Sequence, residues 1–150
     1  IGICAGMKVI NVDGATGNIK TNFSGKAQAA IEAFESGTDL VYVHVEAPDE
    51  CGHRAEAENK VKSIELIDEK ILGPVKSYLD SCGEPYKILY LPDHPTPVST
   101  RTHSSDPVPF LIFESNRAHS GPDSFDEDSA AASGIYVEHG HELMGMFIRG

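Results

Sequence analysis

Long apolar runs are missing from this 150-residue chain. Nothing in it approaches the roughly 18 consecutive apolar residues that a membrane-spanning helix requires, so no membrane partner is expected. Basic residues are scarce: 12 Lys and Arg stand against 23 Asp and Glu, a net charge of -11. Phosphate backbones are held by basic patches, so nucleic acid is excluded as an expected partner. An anionic substrate would need a cation to bring it in, which leans toward a metal. Cysteine is sparse too. Cys4, Cys51 and Cys82 are odd in number and sit at no zinc-finger spacing, which fits reduced thiols in a cytoplasmic protein. The opening "IGICAGMKVI" has no basic flank, no long apolar core and no initiator Met. No signal peptide is expected there, and the chain reads as starting partway through a longer protein.

What is present suits one modest domain with a real core: 40% of the residues are hydrophobic. "MKVINV" (7–12) reads as a short strand, followed by the turn chemistry of "DGATGN". Residues 23–34 carry Ala27, Ala30, Ile31 and Phe34 at helical spacing, with Ser24 as N-cap and Gly37 as the stop. "LVYVHVEA" (40–47) and "YKILYLP" (86–92) read as buried strands, and "VPFLIF" (108–113) as a third. Residues 56–79 make the strongest helix. Val61, Ile64, Ile67, Ile71, Val75 and Leu79 mark its apolar face, and Gly73-Pro74 is expected to interrupt it. The Ser-, Asp- and Gly-rich tract 114–137 reads as a surface loop with one short helical turn, and "HELMGMFI" (141–148) as a short amphipathic helix. Strands alternating with helices predict an α/β layered sheet.

The polar residues gather where two expected strands end. One strand runs into Ala47-Pro48-Asp49-Glu50-Cys51-Gly52-His53, the other into Pro92-Asp93-His94-Pro95, and the loop before the third contains His103. Ligand sites in open α/β sheets collect beyond the carboxyl ends of strands. Carboxylate oxygens with imidazole nitrogens suit Mn²⁺, Zn²⁺ or Fe²⁺, and Mg²⁺ less well. A lone loop Asp or His is usually a cap or a solvated turn residue. An Asp93-His94 pair between prolines leaves chemistry as the main reason for its presence. His44 reads as a core or interface residue, and His119, His139 and His141 as exposed ones. Cys51 reads as a small side chain filling its loop. The guanidinium of Arg101 has a fork suited to phosphate.

Two stretches carry a family resemblance. "HVEAPDECGHRAEAENKVKSIELIDEKILGPV" and "LPDHPTPVSTRTHSSDPVPFLIF" resemble the archaeal-type, cofactor-independent phosphoglycerate mutases and their bacterial relatives, within the alkaline phosphatase superfamily. The motifs are an Asp-x-x-x-His after a strand, an Asp-His, and a Thr-His shortly before Pro-Val-Pro. The resemblance implies a partial three-layer α/β sandwich, the C-terminal portion of the catalytic domain over residues 1–150, with the N-terminal part and cap domain absent. It implies two divalent metals: Mn, with Zn, Mg or Co as alternatives. Asp49, His53 and His103 would hold one, and Asp93 and His94 would help to hold the other. Arg101 stands outside the resemblance: its fork, suited to phosphate or carboxylate, makes it a candidate substrate contact, with a surface Arg or an ion pair as the alternative. The family's nucleophilic Ser has no counterpart here and is expected upstream.

The activity so implied is metal-dependent phosphoryl transfer through a phosphoserine enzyme. It would interconvert 3- and 2-phosphoglycerate, a glycolytic step on a phosphorylated small molecule. The alternatives are a homoserine kinase-like phosphotransferase, a phosphatase of the same superfamily, or a non-catalytic metal-binding fragment. The chain by itself is expected to be inactive, and to form a homodimer through strand edges that the remainder of the protein would cover.

Overall fold

The computed structural model describes residues 2–117 and 121–150. The chain divides into two compact units. One runs to Cys82 and takes in Thr96–Thr102; the other comprises Gly83–Pro95 and His103–Gly150. Helices and a small two-stranded sheet make it a partial α/β domain.

In the first unit, helix α1 spans Phe23–Glu35, close to its expected bounds. Its cap is Asn22 rather than Ser24: the Asn22 Oδ1 accepts the Gly25 amide at 2.8 Å, satisfying a donor that the first turn leaves over. Gly37, at φ +86°, lies just past the end, where the left-handed conformation costs glycine little. Phe23, Ala27 and Ala30 line the buried side. Phe23 and Ala27 join Ala47 and Ile71 in the core, with Val45, Leu66, Ile67 and Val75 packed around them. Burying a side chain such as Phe23 contributes about 1.5–3 kcal/mol.

The long helix expected over 56–79 is two helices, α3 (Ala57–Ile67) and α4 (Gly73–Cys82), joined by a π-helical turn, Asp68–Leu72. In that turn the Gly73 amide reaches back five positions to the Asp68 carbonyl. Pro74 explains its location. Its ring would strike the carbonyl four residues earlier in a regular helix, and it has no N–H to give. The widened turn keeps the helix running by taking up about one extra residue, which shifts the side chains by about 100°. Ile71 and Val75 therefore share the core with Leu66 and Ile67. Val61 and Ile64, expected on the same apolar face, are rotated out and exposed.

Residues 7–12 and 40–46 form neither helix nor strand. A strand needs a second backbone to complete its ladder, and among the described residues neither segment has one. The reading of 40–47 as a buried strand is therefore corrected. Tyr42 is 63% exposed, and His44 is exposed rather than set in a core.

The second unit holds the sheet. Strands β1 (Lys87–Tyr90) and β2 (Leu111–Glu114) pair antiparallel, Lys87 opposite Glu114 and Tyr90 opposite Leu111. Lys87 Nζ reaches Glu114 Oε1 at 3.7 Å and donates to the Phe147 carbonyl at 3.2 Å. Tyr90 meets Phe125 edge-on, ring centres 5.0 Å apart. The one helical turn expected in the polar tract is α5 (Glu127–Ala132), capped by Asp126. The C-terminal helix begins with a 3₁₀ turn at Gly140–Glu142 and continues as α6 (Leu143–Arg149), burying Leu143.

Candidate metal centre

The segment read as a loop after a strand is itself a helix, α2 (Ala47–His53). Its sequence accounts for it. Pro48 stands in the first turn, where its missing N–H costs nothing, and Asp49 and Glu50 complement the positive end of the helix. The chain leaves α2 through Ala55 at φ +55°, with Glu56 N–H on the Cys51 carbonyl at 2.9 Å and Ala55 N–H on the Gly52 carbonyl at 3.0 Å. This is a left-handed helix end with alanine where glycine is usual. Arg54 braces it, with Nη1 on Glu50 at 2.8 Å and Nε on Glu56 at 2.7 Å. The hydrogen bond from Arg54 holds the Glu56 carboxyl below the usual carboxylate range.

Helical periodicity sorts the side chains of α2. Ala47 and Cys51, four apart, are fully buried. Burial pushes the Cys51 thiol up, so it stays protonated and fills space rather than offering a thiolate. Asp49 and His53, also four apart, share another face, with Asp49 Oδ2 3.4 Å from His53 Nε2.

Both side chains are oriented by the segment 96–102 of the same unit. His53 Nδ1 lies 3.0 Å from the Arg101 carbonyl oxygen. A carbonyl only accepts, so Nδ1 carries the proton and Nε2 is the bare nitrogen of the neutral ring. Metal-ligating histidines are commonly prepared in this way. Arg101 aims its carbonyl from a left-handed backbone, φ +57°, closing a turn in which its N–H meets the Pro97 carbonyl at 2.9 Å. Its side chain is exposed. Thr96, 3% exposed, donates its hydroxyl to Asp49 Oδ1.

In the second unit, Asp93 Oδ2 lies 3.6 Å from His94 Nε2, and the Asp93 side chain is mostly exposed. The His94 and His103 rings lie against each other, tilted by 33°, with centroids 3.7 Å apart. The Ser104 N–H bonds to the Pro95 carbonyl at 3.1 Å, tying the two ends of the 96–102 excursion within this unit. Each unit thus collects its own ligand-type residues: Asp49 with His53 in the first, and Asp93, His94 and His103 in the second.

His139 and His141 stack at 5.7 Å on an exposed stretch. His119 lies outside the described residues. His44 faces Glu46 at 3.7 Å. It borders an open depression of about 270 Å³ with Ala15, Thr16, Gly17, Lys26 and Glu46, where the Lys26 ammonium donates to the His44 carbonyl at 2.8 Å. Sequence reasoning missed Thr96, Lys60 and Gly52 around Asp49. The one available signal was a threonine fixed between two prolines in "HPTPV".

The donor set fits a divalent ion. A carboxylate and an imidazole with its far nitrogen already engaged are what a borderline ion such as Mn²⁺ or Zn²⁺ takes. Comparison with known proteins agrees. The sequence profile of the Metalloenzyme superfamily matches residues 2–138, and the chain belongs to that superfamily. It is 49% identical, over its whole length, to 38% of the 2,3-bisphosphoglycerate-independent phosphoglycerate mutase of Methanothrix thermoacetophila. It is 48% identical, over 99% of its length, to 37% of a protein of Geobacter sulfurreducens named as a probable enzyme of that kind. Among solved structures, the PH0037 protein of Pyrococcus horikoshii superposes with a TM-score of 0.77 at 27% identity, covering 96% of this chain and 42% of that one. The chain therefore spans under half the length of the relatives it matches.

Proposed function

We propose that this chain is part of a metal-dependent phosphotransferase of the cofactor-independent phosphoglycerate mutase type. Its layered sheet would be a three-layer sandwich once the remainder of the protein adds its strands. Asp49, His53 and His103 are the ligands proposed for one ion; each offers one ligand atom. Asp93 and His94 are proposed for a second. Divalent ions would neutralise phosphoryl oxygens and activate the attacking hydroxyl. A serine elsewhere in the protein would carry the phosphoryl group between two hydroxyls of a phosphoglycerate, a glycolytic reaction in the cytoplasm. Arg101 is proposed to meet the substrate phosphate through its exposed guanidinium.

The observation that carries this reading is the preset pair on α2, with Asp49 and His53 one turn apart and the His53 Nδ1 proton committed to the Arg101 carbonyl. The names of the relatives support it. In the full-length protein, Asp93→Ala should lower mutase turnover by orders of magnitude, while the 150-residue chain alone should show none. Turnover by the isolated chain, or an undiminished rate in the variant, would overturn the reading.

For the isolated chain we propose a symmetric homodimer. The segment 40–46 leaves Leu40, Tyr42 and Val43 exposed, apolar surface that a second copy could cover.

A further inference from the structure

We infer that Thr96 is a positioning residue for the metal ligand Asp49, and that Lys60 and Gly52 hold Thr96 in place for that task. The inference rests on the metal reading above and adds residues that neither the motif pattern nor the ligand chemistry identifies.

Thr96 is almost wholly buried, at 3% exposure, and polar groups are buried at a cost unless their hydrogen bonds are met. Its hydroxyl hydrogen goes to Asp49 Oδ1. A carboxylate has two oxygens, and the other, Oδ2, is the one facing His53 Nε2 at 3.4 Å. The hydroxyl therefore occupies one oxygen and turns the other toward the imidazole nitrogen that can share an ion with it.

Thr96 is fixed from two further directions. The Lys60 ammonium, on α3, donates to the Thr96 carbonyl at 2.6 Å. That part of α3 is itself anchored, since the fully buried Ser63 returns its hydroxyl to the Lys60 carbonyl at 2.7 Å. Gly52, on α2 between the two ligands, lets the Thr96 backbone approach the helix. A methyl group there would collide with the Thr96 carbonyl oxygen and sit 2.9 Å from its Cγ2. A lysine and a glycine from two helices thus hold the threonine whose hydroxyl meets the Asp49 carboxylate. Outer partners of this kind typically change metal affinity 10- to 100-fold when removed.

The test measures Mn²⁺ affinity by calorimetry in the full-length protein, for Thr96→Val, Thr96→Ser, Lys60→Met and Asp49→Ala. Valine keeps the shape and removes the hydroxyl; serine restores it. The expected result is about 10- to 100-fold weaker binding in Thr96→Val and recovery to within about threefold in Thr96→Ser. Lys60→Met should give a smaller loss in the same direction, and it stands in if Thr96→Val does not fold. Wild-type affinity in Thr96→Val, alongside a loss in Asp49→Ala, would overturn the inference and leave the metal reading intact. If Asp49→Ala itself binds as wild type, the metal reading fails. The Asp49 χ1 couplings measured without metal then decide: one rotamer in wild type that spreads over several in Thr96→Val supports the positioning role, and an unchanged rotamer sinks it.

Discussion

The Nδ1 of His53 lies 3.0 Å from the carbonyl oxygen of Arg101, a residue 48 positions further along the chain. That contact selects the tautomer in which Nε2, the nitrogen beside Asp49, carries no proton. It also makes the backbone conformation at residue 101 part of the site.

His53→Ala and His103→Ala should each weaken Mn²⁺ binding by about 100-fold or more, since each removes a proposed ligand rather than an outer partner. Binding should also weaken in acid, because imidazole must be neutral to bind and protons compete with the ion. Calorimetric titration at two pH values checks both points. Unchanged affinity in both variants would remove these residues from the ligand set.

Gly52→Ala should destabilise the first unit by about 1–3 kcal/mol, the usual cost of forcing a group into a filled space. The new methyl group must displace the Thr96 backbone, which cannot swing aside as a side chain tip can. Chemical denaturation of the two proteins measures the difference. Equal midpoints would mean that the 96–102 segment can move away freely.

Acid should loosen α5 in a way traceable to one carboxylate. The Ser129 amide donates to Asp126 Oδ1 at 2.7 Å. This bond, aided by the Ser124 hydroxyl, holds the Asp126 carboxyl below its ordinary value of 3.8. The group therefore contributes stability that is fully present above its unfolded value and is lost as pH falls through the lower folded one. Protection factors across Glu127–Ala132, taken relative to the intrinsic exchange rate at each pH, should fall at the acid end, and Asp126→Ala should show the lower protection already at neutral pH. Identical exchange in variant and wild type at neutral pH would show the cap to be idle.

Self-association of the isolated chain should strengthen with salt. A net charge of -11 opposes close approach of two copies, and ions screen it. Sedimentation at several protein concentrations, in low and moderate salt, reads the dimer directly. A monomer under every condition would count against pairing through residues 40–46.

Much of this architecture is written in local patterns. The helix over 23–35, the strands over 87–90 and 111–114, and the helical turn in the polar tract all follow from periodicity, caps and turn residues. What failed depended on distant partners. Residues 40–46 have strand chemistry, but a ladder needs a neighbour that no local pattern supplies. Residues 47–53 look like a loop because Pro48 breaks the preceding apolar run, yet proline is at home in a first helical turn. Asp49, His53, Asp93, His94 and His103 were legible as ligand types in a suggestive order. Thr96, Lys60 and Gly52 were not, because their significance is a convergence of segments far apart in sequence.

The π-helical turn at Asp68–Leu72 gives this chain an unusual sensitivity to length. Deleting one of its residues other than the buried Ile71 would make the helix more regular. It would also re-index everything on one side of the cut, by about 100° of rotation and 1.5 Å of travel. Lys60 and Ser63 lie upstream of the turn, Ile71 lies within it, and Val75 lies downstream. With the downstream half anchored in the core, the screw motion would carry the Lys60 ammonium off the Thr96 carbonyl. The irregularity therefore works as a phase setting. It lets a helix that must meet a proline at one end still deliver a lysine at the correct azimuth at the other, where the support beneath Asp49 needs it.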